Sequence, residues 1–99
     1  MLNINKTIEN KNAVIALEGR LDTVTAPETE SAIKEILPEI TDLTLDFAKL
    51  EYISSAGLRV LLSTCKLMKD QGNMKIINVS ETVMEIFEVT GFSEILTIE

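Results

Sequence analysis

Residues 43–62, LTLDFAKLEYISSAGLRVLL, contain a strand pattern followed closely by a helix pattern. The first five residues, 43–47, alternate between apolar and polar as a β-strand does, and residues 48–53 are predicted to form a loop. Residues 54–57, SSAG, then open the longest helical pattern in the chain, which Gly72 should stop. The buried face of that helix is marked by residues at helical spacing: Leu58, Leu61, Leu62, Cys65 and Met68 or Lys69. A strand followed by a helix in this way is typical of an α/β protein.

Two strand patterns and one helix pattern precede this stretch. Residues 4–8 are predicted to form a short edge strand that ends in a polar turn at residues 9–12. Residues 13–17 are apolar at every position, which predicts a strand buried on both faces. Residues 25–28, TAPE, have the spacing of a capping box with a proline in the first helical turn, and Pro38 should end or distort the helix that follows.

Another strand and another helix follow residues 43–62. Residues 74–79, MKIINV, are mostly apolar, and this strand is predicted to be central in the sheet together with residues 13–17. Ser80 should cap a third helix that Gly91 closes, and residues 95–98 should add a short last element. The order β-β-α-β-α-β-α predicts an α/β domain, a mixed sheet of four to five strands with helices packed against it. We expect a single monomeric domain over residues 1–99, because this length supplies one hydrophobic core.

Composition and charge narrow the classes of partner. Nine Lys and Arg residues stand against 16 Asp and Glu residues, which gives a formal net charge of −7. Such a surface repels phosphate backbones and anionic lipids, so we expect no nucleic-acid and no membrane partner. The sequence has one cysteine, which cannot form an internal disulfide, and lacks an apolar run near the ~20 residues that span a bilayer. We therefore expect a cytoplasmic protein.

The absence of histidine excludes several kinds of catalytic site. Ser-His and Cys-His nucleophile pairs and histidine-ligated zinc are impossible, and one cysteine cannot build a thiolate metal site. The four glycines form no phosphate-binding loop of the GxxxxGK[ST] or GxGxxG type. We expect no cofactor, no metal and no enzymatic activity. A small Ser-based enzyme with Ser55 as nucleophile and Lys66 or Lys69 as base is a weak alternative, because the helix carries both lysines away from the serine.

Two loops each follow a strand and precede a helix. They comprise residues 19–23, GRLDT, and residues 52–58, YISSAGL, and both should lie at one edge of the sheet. Ser54 or Ser55 can cap the central helix, where the small side chains of Ala56 and Gly57 leave backbone amides accessible to a neighbour. The positive end of the helix dipole tolerates an added phosphate at this point.

Four short motifs in this order resemble the STAS domain. They are GRLD at residues 19–22, LDF at 45–47, YISSAGL at 52–58 and TGF at 90–92. The resemblance covers nearly the whole chain, and it is strongest to the stand-alone anti-sigma factor antagonists of bacteria. It implies a protein-binding switch whose partner is an anti-sigma factor serine kinase of the GHKL type. A constitutive STAS subunit of a transport or stress-signalling assembly is the alternative within the same fold.

The resemblance also implies roles for individual residues. The kinase phosphorylates the antagonist two residues before the motif glycine, which is Ser55 here, and thereby breaks the complex; a PP2C-type phosphatase restores binding. Ser54 replaces the aspartate usual in the family and is the second choice as acceptor. Asp22 matches the acidic residue of the first loop, a contact point for the kinase. The predicted partner-binding residues are Asp22, Thr23, Ser54, Ser55, Ala56, Gly57 and Arg59.

Overall fold

The computed structural model describes residues 2–99, which form a mixed four-stranded sheet in the order β1-β2-β3-β4. The strands are β1 (Leu2–Glu9), β2 (Asn12–Leu21), β3 (Asp42–Ile53) and β4 (Asn73–Ile77). β1 pairs antiparallel with β2, whereas β2 and β3, and β3 and β4, run parallel. The parallel pairs need crossover connections, and the helices supply them.

Three α-helices connect or follow the strands: α1 (Ala26–Ile36), α2 (Ser55–Lys69) and α3 (Glu81–Thr90). Short 3₁₀ turns at Leu37–Glu39 and Phe92–Glu94 extend the first and third of them. The predicted order β-β-α-β-α-β-α and the α/β class are therefore confirmed. The proline that was expected to end the first helix lies inside the first of these 3₁₀ turns.

The predicted positions of the two apolar strands need correction. β2 is central, but Val14 is 39% exposed while Ala13 and Ile15 are buried, so the strand buries only one face. The segment predicted at residues 74–79 forms β4, which is an edge strand rather than a central one. A run of apolar residues does not distinguish these cases, since small or half-buried apolar side chains can also occupy a solvent-facing position. On the outer side of β4, the Ile76 amide donates a hydrogen bond to the Thr97 carbonyl, and the Glu99 amide donates one to the Ile76 carbonyl.

The predicted loop at residues 48–53 is also wrong, because β3 continues to Ile53. Parallel pairing with β2 extends over this segment, with register shifts after Ala16 and after Gly19 that accommodate extra residues in β3. Residues 48–52, AKLEY, also alternate between apolar and polar, so a strand signal was present in the sequence and the loop prediction missed it. The extension matters for function, since it brings the end of β3 level with the end of β2.

Local interactions cap α3 at both ends, and a glycine follows the end of α2. Ser80 accepts a hydrogen bond from the Val83 amide at 3.2 Å, and Gly91 ends α3 in the left-handed conformation at φ 83°. Gly72 follows α2 for a steric reason, since a Cβ at this position would collide with the backbone carbonyl of Thr41. A continuous cluster of buried side chains lies between the sheet and the helices.

Candidate functional site

Two loops meet at the carboxyl ends of β2 and β3. Leu21 at the end of β2 is paired with Ile53 at the end of β3. Beyond this pair, the Ser54 amide donates a hydrogen bond of 2.8 Å to the Leu21 carbonyl. The chain then enters α1 through Asp22 and α2 through Ser55. The structure thus brings together the two loops that the sequence predicted at one edge of the sheet.

Gly57 allows α2 to begin close to the sheet. A Cβ at this position would lie 2.7 Å from Cγ1 of Ile53, 2.8 Å from Cγ of Leu21 and 3.0 Å from the Leu21 carbonyl oxygen. These separations are shorter than normal contacts, so only glycine fits without a shift of its neighbours. Gly57 is buried beneath the two loops. Gly57 was predicted to bind the partner, but it is buried and therefore not an exposed contact. It instead allows α2 to lie close to the sheet.

Ser54, and not Ser55, is the N-cap of α2. Its backbone is extended, at φ −97° and ψ 176°, and its hydroxyl oxygen accepts a hydrogen bond from the Gly57 amide at 3.4 Å. Ser54 is half-buried, whereas Ser55 occupies the first helical position and is exposed. Within residues 2–99 the Ser55 hydroxyl makes no hydrogen bond. Of the two candidates, Ser55 therefore presents the accessible hydroxyl.

The electrostatic environment of Ser55 suits an anion. The first amides of a helix have no partner within the helix, and the helix dipole places roughly half a positive charge at this end. No acidic side chain occupies the first turn of α2. Exposed Arg59 lies one helical turn further on, at the i+4 position relative to Ser55. A negative group on the Ser55 hydroxyl would meet favourable charge within the domain.

The Asp22 loop is held by a compact hydrogen-bond network. The Asp22 oxygen Oδ1 accepts bonds from the backbone amides of Val24 at 3.0 Å and of Thr25 at 3.1 Å. The Thr25 hydroxyl donates to the Arg20 carbonyl at 2.8 Å and accepts from the Asp22 amide at 2.9 Å. The bond from the Thr25 amide lowers the pKa of the Asp22 carboxyl below its ordinary value of 3.8, with smaller lowering effects from the Thr25 hydroxyl, the Val24 amide and the Arg20 charge.

This network replaces the capping box predicted at residues 25–28. Thr25 has a helical backbone, with φ −92° and ψ −13°, and directs its hydroxyl towards the turn before it instead of towards a helix amide. Residues 25–28 have the sequence spacing of a capping box, but the capping hydrogen bond does not form. In a capping box the Glu28 side chain would accept a hydrogen bond from the Thr25 amide. The Asp22 carboxylate accepts that bond instead, because it reaches the Thr25 amide from three residues before it.

The rest of the predicted surface surrounds these two loops. Thr23 is exposed and Ala56 is half-buried at the start of α2. Val24 was missed by the sequence analysis; it is 85% exposed, although its backbone is anchored to Asp22. The available signal was an apolar residue in an otherwise polar loop. Beside the loops, the Arg20 guanidinium stacks over the Tyr52 ring, 4.5 Å from the ring centre.

Neither lysine proposed as a base lies near Ser55. Lys66 and Lys69 both lie in the last turn of α2, whereas Ser55 is its first residue. At ~1.5 Å per residue these positions are about 16 Å or more along the helix from Ser55, while a base must come within ~3 Å. Among residues 2–99 there is no cluster of His, Cys, Asp and Glu able to hold a metal ion. None of the helices described there has the length and apolarity needed to cross a membrane.

Comparison with known proteins places the chain in a family. The model of the STAS domain matches residues 3–99. The anti-sigma-B factor antagonist of Bacillus subtilis is 30% identical, over 98% of this chain and 92% of that protein. Two solved structures share the fold. An anti-sigma factor antagonist from Mycobacterium paratuberculosis has a TM-score of 0.90 at 20% identity, over 99% of this chain and 85% of that one. The phosphorylated form of the Bacillus cell fate determinant SpoIIAA has a TM-score of 0.76 at 19% identity, over 100% and 91%. The chain therefore belongs to the STAS domain family.

Proposed function

We propose that this chain is an anti-sigma factor antagonist whose binding is switched off by phosphorylation of Ser55. The observation that carries the proposal is the exposed Ser55 hydroxyl at the N-terminus of α2, next to the anchored Asp22 loop. The name of the Bacillus subtilis relative describes an antagonist of an anti-sigma-B factor, and that protein covers nearly all of this chain. The proposal makes the protein a binding module and not an enzyme.

The proposed partners follow from the family resemblance. In its unphosphorylated form the chain binds an anti-sigma factor serine kinase of the GHKL type through the loops around Asp22 and Ser55. The same kinase transfers the phosphate, and a PP2C-type phosphatase removes it. The free protein acts as a monomer in the cytoplasm, where it meets the anti-sigma factor. Ser55 is preferred over Ser54, since Ser54 is half-buried and its hydroxyl already caps α2.

The charge of the phosphate explains why the switch leaves the fold intact. Phosphorylation adds about −1.5 to −2 charges at neutral pH. Within the domain these charges meet the free amides of α2, so the free energy of unfolding should change by only a few tenths of a kcal/mol. At the interface the phosphate must be desolvated and faces any partner carboxylate or bound nucleotide, which costs several kcal/mol. A cost of ~3 kcal/mol weakens binding roughly a hundredfold, so the interface effect dominates.

The test combines phosphorylation and binding. The chain is incubated with ATP and each purified GHKL-type ATPase of the source organism, and intact mass records phosphate incorporation. Ser55→Ala should abolish incorporation while still binding the kinase. Ser31→Ala, which alters an exposed serine of α1, is the matched control and should behave as wild type. Ser54→Ala should remain switchable.

Calorimetric titration of the kinase with phosphorylated and unphosphorylated protein then measures the switch. The unphosphorylated form should bind about a hundredfold more tightly. Equal affinities of the two forms would refute the proposal. Tight binding with no phosphate incorporation would instead support a constitutive STAS subunit.

A further inference from the structure

Thr25 lies directly beneath the Asp22 carboxylate. Its side chain is nearly buried, with an exposed fraction of 8%. The hydroxyl oxygen is 2.8 Å from the Arg20 carbonyl, 2.9 Å from the Asp22 amide nitrogen and 3.2 Å from Asp22 Oδ1. The hydroxyl donates its one hydrogen to the Arg20 carbonyl and accepts from the Asp22 amide, so it joins the last part of β2 to the backbone of Asp22 and lies beside the Asp22 carboxylate.

The network leaves the two oxygens of the Asp22 carboxylate in different situations. Oδ1 accepts the amides of Val24 and Thr25 and lies within reach of the Thr25 hydroxyl. Oδ2 accepts no hydrogen bond from any residue between 2 and 99. A carboxylate fixed through one oxygen cannot rotate freely. It therefore presents the other oxygen in one direction, without the entropic cost of ordering the side chain on binding.

We propose that Thr25 is a positioning residue for partner recognition, which orients Asp22 so that its Oδ2 accepts a hydrogen bond from a cationic side chain of the partner. This inference rests on the proposed function, because it assumes that the Asp22 loop contacts the kinase. A cation is the matching chemistry, since a carboxylate with a free oxygen forms its strongest hydrogen bonds with charged donors. Thr25 itself touches no partner, being covered by the loop that it supports.

The test replaces the hydroxyl without changing the shape of the side chain. Thr25→Val removes the hydroxyl, and Thr25→Ser keeps it. Thr64→Val is the matched control: Thr64 is 3% exposed and donates to the Val60 carbonyl at 2.8 Å within α2, away from the two loops. Thr25→Val should bind the kinase roughly tenfold more weakly, while Thr25→Ser and Thr64→Val should bind as wild type.

A double-mutant cycle distinguishes positioning from general damage to the loop. If Thr25 acts through Asp22, then adding Thr25→Val to Asp22→Asn should reduce the affinity little further. An equal loss in both backgrounds would overturn the proposal, because it would mean that Thr25 affects binding independently of Asp22. Should Thr25→Val fail to fold, Thr25→Cys takes its place in the cycle, since a thiol is a weak hydrogen-bonding group of similar size.

A second readout needs no partner. The pKa of the Asp22 carboxyl, followed by NMR through its side-chain carbon, should rise slightly in Thr25→Val, which loses the smaller effect of the hydroxyl and keeps the backbone amide, and should stay low in Thr25→Ser and Thr64→Val. The charge of Arg20 is the same in all variants and cannot cause the difference. An unchanged pKa in folded Thr25→Val would overturn the positioning role. Failure of every kinase to bind the wild type would overturn the proposed function instead, and the NMR result would still decide what Thr25 does to Asp22.

Discussion

Gly57→Ala tests the close approach of α2 to the sheet, on which the geometry of the site depends. The added Cβ would lie 2.7 Å from Ile53 Cγ1, 2.8 Å from Leu21 Cγ and 3.0 Å from the Leu21 carbonyl oxygen. Both side chains are buried in the core. The Leu21 carbonyl is held by the Ser54 amide at 2.8 Å, so moving it would weaken the bond that joins the two loops.

Two effects of opposite sign set the expected magnitude. Overpacking a buried site costs about 1–3 kcal/mol. Alanine is the better helix former, by up to about 1 kcal/mol, which offsets part of this cost. The upper part of the overpacking range applies, because one of the three contacts is with backbone. We expect a net loss of about 1–2 kcal/mol in the free energy of unfolding, and a domain of this size loses about 4–8 °C in Tm for each kcal/mol.

Thermal and urea unfolding measure this loss, with Gly91→Ala as the control. Gly91 has φ 83°, and apart from Gly91 and its two chain neighbours no heavy atom of residues 2–99 lies within 4 Å of the position of an added Cβ. Its replacement costs only backbone strain, about 1 kcal/mol, away from the two loops. Gly57→Ala should also weaken kinase binding, since it displaces Ser55 relative to Asp22, whereas Gly91→Ala should not. A Gly57→Ala protein as stable as the wild type would refute the tight packing of α2 against Leu21 and Ile53.

Three further predictions concern exposed groups of the site. Ser55→Glu should bind the kinase weakly yet melt within a few degrees of wild type, because the helix N-terminus accepts the charge; a collapsed melting temperature would mean destabilisation instead of switching. Asp22→Asn should reduce phosphorylation and leave Tm at pH 7 nearly unchanged. The lowered pKa of Asp22 means that its ionised form stabilises the fold above pH 3.8 and that this contribution disappears as the pH falls through the lowered pKa. Asparagine keeps an acceptor oxygen and lacks only the charge, so any stability difference between Asp22→Asn and wild type at pH 7 should disappear in acid, and a difference that persists below that pKa would contradict the assignment. Val24→Ser should lower the affinity for the kinase several-fold with unchanged urea unfolding, because the side chain is exposed and contributes to binding only; unchanged affinity would place Val24 outside the interface.

Local pattern was sufficient for the order of the elements. The helical spacing after Ser54, the serine caps of α2 and α3 and the glycine at the end of α3 depend on interactions within a few residues. The absence of histidine is a property of composition alone. The two strand-to-helix loops could also be located from local pattern, because a loop at the carboxyl end of a strand lies between a strand pattern and a helix pattern.

Long-range pairing decided what the local pattern left open or predicted incorrectly. Residues 48–53 were predicted as a loop, and their parallel pairing with β2, with two register shifts, makes them part of β3. The mostly apolar segment that contains β4 was predicted to be central, and its edge position follows from the order of the sheet.

The site shows the same division. Two adjacent serines are equivalent as caps in the sequence, and the extended backbone at Ser54 makes it the cap, which leaves the hydroxyl of Ser55 accessible. The sequence by itself determined that a serine stands at the start of the central helix and an aspartate in the loop before α1. Tertiary structure decided which serine is exposed, why Gly57 must be glycine and how Thr25 holds Asp22, because each of these depends on atoms that only the pairing of β2 with β3 and the packing of the helices bring into contact.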